Sequence, residues 1–124
     1  MTPKPGLDGR RIILVEDDFL IQMDLSMTLE SAGAEVVAAG TLKDGLALAD
    51  GDYDAAVLDI RLPDGEVFPI AERLHARKLP IVFHSGNVEG AGLEQRFPNA
   101  IALSKPVQEK LLLDALQRGL EMAG

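Results

Sequence analysis

The sequence contains no cysteine and no tryptophan. A disulfide framework, a thiolate metal site and a cysteine nucleophile are therefore all excluded. Aromatic residues are scarce, at 4% of the chain, so little is available to sandwich a flavin. Positive charge is also short: 12 Lys and Arg stand against 20 Asp and Glu, a formal net charge of -8. That balance argues against a general phosphate-backbone binder, whose affinity rests on Lys and Arg. No apolar run approaches the roughly 20 residues needed to span a bilayer. Residues 1–9 lack the apolar core of a secretion signal, and a cytoplasmic protein is expected.

What is present suits one soluble domain. The 124 residues are 47% hydrophobic and 26% charged, enough to bury a core without staples. The excess of acid agrees with a carboxylate cluster that needs a cation, as it does with a solvated acidic surface.

Apolar runs and helical patterns alternate along the chain. Ile12–Val15, Glu35–Ala39, Ala55–Leu58, Pro80–Phe83 and Ile101–Leu103 read as short strands of the kind a parallel sheet buries on both faces. Phe19–Ala32 suits a helix, with Leu20, Met23, Met27 and Ala32 beside Ile21, Leu25 and Leu29, and Gly33 as its C-terminal cap. Thr41 can cap a second helix running to Ala49. Leu62-Pro63-Asp64-Gly65 reads as a turn, followed by a helix to Arg77 with Pro69 in its first turn. Gly90 and Gly92 predict that any helix before Phe97-Pro98 is short and poorly anchored. Val107–Met122 is the clearest helix, with Val107, Leu111, Ala115 and Leu116 on one stripe. Strands and helices in alternation predict a parallel sheet covered on both faces.

In open α/β sheets ligands bind at the carboxyl ends of the strands. Glu16, Asp17 and Asp18 follow the first strand, and Asp59 follows the third. His84, Ser85, Gly86 and Asn87 follow the fourth, and Ser104, Lys105 and Pro106 the fifth. Carboxylates gathered from two strand ends repel one another, and Mg²⁺, which prefers oxygen ligands, relieves that cost. A carboxylate can also attack phosphorus to form an aspartyl-phosphate. The charge on the transferred group calls for a metal, an ammonium and a hydroxyl, and Lys105 and Ser85 supply the last two. Acids at 16–18 alone would be explained by helix capping. All four groups, each just after a buried strand, are not explained that way.

These pieces resemble the receiver domain of two-component response regulators: Ile-Leu-Val-Glu-Asp-Asp at 13–18, Val-Leu-Asp-Ile-Arg-Leu-Pro-Asp-Gly at 57–65, Phe-His-Ser-Gly at 83–86 and Ser-Lys-Pro at 104–106. The resemblance covers Arg11 to Leu120. It implies a receiver domain over residues 10–122, preceded by an extension at 1–9. The implied fold is a flavodoxin-like three-layer (βα)5 domain, doubly wound, with strand order 2-1-3-4-5. It implies Asp59 as phospho-acceptor, with Mg²⁺ held directly by Asp17, through water by Glu16, and by the backbone carbonyl of Arg61. Ser85 takes the hydroxyl position and Lys105 that of the phosphate-pairing lysine, with a cis peptide between Lys105 and Pro106. Asp18 falls outside the acidic pair and reads as a helix-capping or surface acid. Asn87 and Arg61 match positions that tune loss of the phosphoryl group.

One departure concerns output. Many receivers carry an aromatic residue three before the lysine, where this chain has Ala102, and no substitute stands nearby in the sequence. The fourth-strand segment is partly similar to the FATGUY subgroup, which also lacks that aromatic, with His84 and Ser85 in place of Ala and Thr. The family implies a histidine kinase or phosphotransfer protein as phosphoryl source, and no enzymatic turnover. Members of the FATGUY subgroup are typically stand-alone, so a stand-alone switch or phosphate sink with an output protein as partner is expected, as a monomer or weak dimer; the charge and hydropathy lead us to expect no direct contact with nucleic acid or membrane. The stretch Asn87–Phe97 is expected to reorganise. His84, beside rather than at the hydroxyl position, is expected to be satisfied or solvent-facing, and His75 to lie on the surface. The four Met form no stripe suggestive of a partner groove. Two other readings use the same layout. One is a small Mg²⁺-dependent phosphotransfer enzyme with an Asp nucleophile, weakened by Arg61 where a second acid would stand. The other is a flavodoxin-like cofactor module, weakened by the lack of aromatics and of a phosphate loop after the first strand.

Overall fold

A computed structural model of the protein describes residues 6–86 and 92–123. The first half of the chain runs β1 (Arg11–Val15), α1 (Phe19–Ser31), β2 (Glu35–Ala39), α2 (Leu42–Leu48) and β3 (Ala55–Asp59). Two short strands follow, β4 (Arg61–Leu62) and β5 (Gly65–Glu66), paired antiparallel across the expected turn. The second half runs α3 (Phe68–Ala76), β6 (Ile81–Ser85), α4 (Leu93–Arg96), β7 (Ile101–Ser104) and α5 (Glu109–Ala123). The five longer strands form one parallel sheet in the order β2-β1-β3-β6-β7. With the β4–β5 ribbon set aside, this is the expected 2-1-3-4-5 order of a flavodoxin-like fold.

Strand side chains alternate between faces, so each strand feeds two cores. Ile13, Val15, Ala56, Leu58, Ile81 and Phe83 face one core, which Ile70 and Leu74 of α3 and Phe97 close. Ile12, Leu14, Ala55, Val57 and Val82 face the other, which Leu25 and Leu29 of α1 and Leu112 and Leu116 of α5 close. β3 is buried along its whole length, as its uninterrupted apolar run requires. No helix among the described residues is long and apolar enough to cross a membrane.

The helix caps follow the local chemistry. The Asp18 carboxylate accepts from the backbone of Leu20 and Ile21 at 3.0 and 3.1 Å, which starts α1. Thr41 caps α2 by accepting from Asp44 N at 3.0 Å. Asp64 caps the same helix from across the chain, accepting from Leu42 and Lys43 at 2.7 and 3.0 Å. The turn after the third strand thereby clamps the second helix.

Leu20, Met23 and Met27 of α1 are 68%, 45% and 58% exposed, and Leu25, Thr28 and Leu29 are the buried positions. Apolar residues occur all round this helix, so their periodicity could not select a face. On α5, Leu111 points outward, 49% exposed, while Leu112, Ala115 and Leu116 are buried. One expectation needs correction. The helix before Phe97 is short, as expected, but its described part is well anchored. Leu93 and Phe97 are buried, and Arg96 bonds Glu72 at 2.8 Å with its guanidinium 4.1 Å from the Phe68 ring centre. Side-chain contacts supply what helix propensity lacks.

Leu7, within the segment read as an extension, is fully buried, and its N–H donates to Ala32 O at the end of α1. Gly33 makes this approach possible. Its φ is +101°, and a Cβ there would lie 2.8 Å from the Asp8 Cα. Gly33→Ala should therefore lower stability by more than about 1 kcal/mol. The check is urea unfolding, in which the midpoint should fall while the slope is unchanged.

Candidate functional site

The alternation that divides the core also assembles the site. Ile12 and Leu14 share a face, and the next residue in that series is Glu16; Ala55 and Val57 lead in the same way to Asp59. Val82 leads to His84, and Leu103, packed on the same core, to Lys105. Register completes the alignment, because Val15 pairs with Leu58 and Asp59 with His84. Four ionisable side chains thus reach the carboxyl edge of the sheet on one face.

Lys105 joins two of them. Its Nζ donates to Asp59 Oδ2 at 3.1 Å and lies 3.2 Å from Glu16 Oε1. Glu16 is fully buried, and its Oε2 accepts from the Asp18 backbone N–H at 2.8 Å. Asp17 is exposed at the mouth, and carboxylate oxygens of Glu16, Asp17 and Asp59 all lie within 4.8 Å of one another. Gln22 Nε2 steadies the loop by donating to Glu16 O at 2.8 Å and to Ala39 O at 3.3 Å.

The electrostatics follow from burial. Removal from water pushes Glu16 up from 4.5 to about 7, and the nearby Asp59 charge adds to this. Asp59 is also raised, chiefly by burial and further by contact with Asp17, against the opposing pull of Lys105. Burial alone would lower Lys105, but Asp59 and Glu16 outweigh it and hold the ammonium charged.

The remaining predicted residues are accounted for as follows. Ser85 closes β6, is buried, and its carbonyl accepts from Lys105 N at 2.9 Å. The Arg61 backbone N–H donates to the Asp59 carboxylate. The Lys105–Pro106 peptide is cis. Asn87 lies outside the described residues. Ala102 is exposed on β7, but its register partner is Phe83, which packs 5.3 Å from Phe97. A core aromatic therefore stands beside that position in space, one strand inward, although none is near it in the sequence. His75 is half-buried, with its ring edge-on to Phe97 at 5.4 Å, rather than fully on the surface. His84 is the clearest correction: it is 0% exposed and neither ring nitrogen has a hydrogen-bond partner among the described residues. Its parity with Asp59 was the signal available in the sequence.

A sequence profile of the response regulator receiver domain matches residues 12–117, and the chain belongs to that family. It is similar to the sensor protein TorS of Escherichia coli, with 30% identity over 122 residues. That match covers 94% of this chain but only 13% of TorS, so the chain spans a small part of that relative. Among solved structures it resembles a CheY-like receiver domain protein from Methanospirillum hungatei, with 28% identity and a TM-score of 0.82 over 95% of this chain and 97% of that one. It also resembles the receiver domain of a sensor histidine kinase from Pseudomonas aeruginosa, with 27% identity and a TM-score of 0.78 over 91% and 98% of the two chains. That structure carries a magnesium ion in its active site cleft.

The donor set fits such an ion. Three carboxylates converge as hard oxygen donors, and two of them are pushed toward the protonated form when no cation is present. Deprotonation must accompany metal binding, so Mg²⁺ affinity should rise with pH up to about 7 and then level off. Calorimetry in buffers of different ionisation enthalpy should show proton release at pH 6 and almost none at pH 8.5. Equal affinity and no release at both would remove Glu16 from the cluster.

Proposed function

We propose that this receiver domain takes a phosphoryl group on Asp59 from a phosphohistidine of a sensor kinase or phosphotransfer protein. In the transfer a new P–O bond forms to an Asp59 carboxylate oxygen. The P–N bond breaks, and the donor imidazole keeps the bonding pair. The observation that carries this reading is Asp59 buried between two other acids with the Lys105 ammonium 3.1 Å from its Oδ2.

Each residue has a distinct part. Asp59 is the nucleophile, and Lys105 keeps it ionised against burial and offers positive charge to the incoming oxygens. Asp17, Glu16, Asp59 and the Arg61 carbonyl are the candidate holders of Mg²⁺, Glu16 through water. Both Glu16 oxygens already face internal donors, which supports the indirect role. Bound there, Mg²⁺ supplies positive charge that offsets the carboxylates and the phosphoryl group. Ser85, one residue past the register partner of Asp59, is the candidate hydroxyl for a phosphoryl oxygen.

The same chemistry supports a switch rather than turnover, since the phosphoryl group stays on the chain. Arg61, not an acid, stands two residues beyond Asp59, which disfavours the phosphotransfer-enzyme reading. Phosphorylation adds charge and acceptor oxygens that draw Lys105 and Ser85 inward and shift a pre-existing equilibrium. We further propose that output passes to a protein partner, or that the chain drains phosphate from a kinase.

Incubation with Mg²⁺ and acetyl phosphate, followed by intact mass measurement, should show one phosphoryl adduct. Asp59→Asn should abolish it. Lys105→Met should slow its formation, on the order of 10-fold or more. An adduct that survives Asp59→Asn refutes the assignment.

A further inference from the structure

His84 is a costly choice for its position. The residues before it in β6, Ile81, Val82 and Phe83, are apolar and buried, and an apolar side chain at 84 would leave no polar atom unpartnered there. Instead an imidazole is sealed from solvent with both nitrogens lacking a hydrogen bond. Its Nδ1 lies 3.5 Å from Glu16 Oε1, which is itself buried and lacks a hydrogen bond that meets angular criteria. The imidazole nitrogen thus faces a carboxylate oxygen whose other neighbour is the Lys105 ammonium, 3.2 Å away, across the floor of the carboxylate cluster.

We propose that His84 is a positioning residue: as the tautomer protonated on Nδ1, it donates to Glu16 Oε1 and fixes that carboxylate within the metal site. When Glu16 is ionised, the other neutral tautomer would aim the Nδ1 lone pair at a carboxylate oxygen, which is repulsive. With the proton on Nδ1, Glu16 has three donors directed at it: His84 and Lys105 toward Oε1, and the Asp18 N–H at Oε2. A long, flexible side chain then has little freedom to swing out of the cluster. Partners of this outer kind commonly decide how well a metal site holds its ion. His84 touches neither Asp59 nor a phosphoryl group in this role. The inference rests on the reading that Glu16, Asp17 and Asp59 bind Mg²⁺.

Two measurements on the full chain test it. Long-range ¹H–¹⁵N spectra of the ring, without metal and at pH 8.5 where Glu16 is ionised, should show the Nδ1–H tautomer for His84; the chain has only 2 His, and His75→Gln identifies the other. Calorimetric Mg²⁺ titration should show His84→Leu binding about 10- to 100-fold more weakly than the unaltered protein. His84→Asn, whose amide N–H reaches the place of Nδ1, should recover most of that loss. An Nε2–H tautomer overturns the proposal, as does full affinity in His84→Leu or equal weakness in both variants. If the unaltered protein binds no Mg²⁺, the metal reading fails and the positioning role falls with it. The tautomer would still report whether the His84–Glu16 contact exists.

Discussion

Two buried carboxylates and one ammonium define the carboxyl edge of this sheet. Glu16 and Asp59 both lie out of solvent, and both are pushed toward the neutral form. Among the described residues, only Lys105 reaches the two of them. One positive charge against two or three negative ones leaves a deficit that grows as water is excluded. A folded domain keeps such an arrangement only if something else benefits from it, and a cation together with an electrophilic phosphoryl group is the natural complement.

Much of this was legible in the sequence because parallel sheets impose simple rules. Five β-branched or apolar runs between helical patterns fixed the layer architecture, and the residues just after them marked the edge where ligands bind. Asp18 and Thr41 acted as caps where short polar side chains precede helical runs. The glycine at 33 stood where a left-handed residue was needed. All these signals are local and survive any tertiary context.

The parts that were not legible depend on which way a face turns. The apolar residues of α1 encircle the helix, and only packing against the sheet shows that Leu25 and Leu29 are inside while Leu20 and Met27 are outside. The grip of Arg96 on Glu72 and Phe68 joins residues far apart in the chain, so no spacing rule could reveal it. His84 is a different kind of miss. Its alternation with Val82 and its pairing with Asp59 were both readable, but a histidine before a polar turn looks like a surface residue unless strand parity is followed to the end.

The aromatic residues bear on how the site could speak to a partner. Ala102 leaves β7 without a ring, while Phe83 beside it joins Phe68 and Phe97 in one packed group. Phe83 belongs to the same strand as Ser85, and Phe97 directly follows α4. A displacement of the β6 end would therefore press first on rings already in contact with α3 and the end of α4. Close-packed interiors have no slack to absorb such a shift within one residue. The ring contacts in this chain thus lie in the core between β6, α3 and α4, and none of them comes from β7.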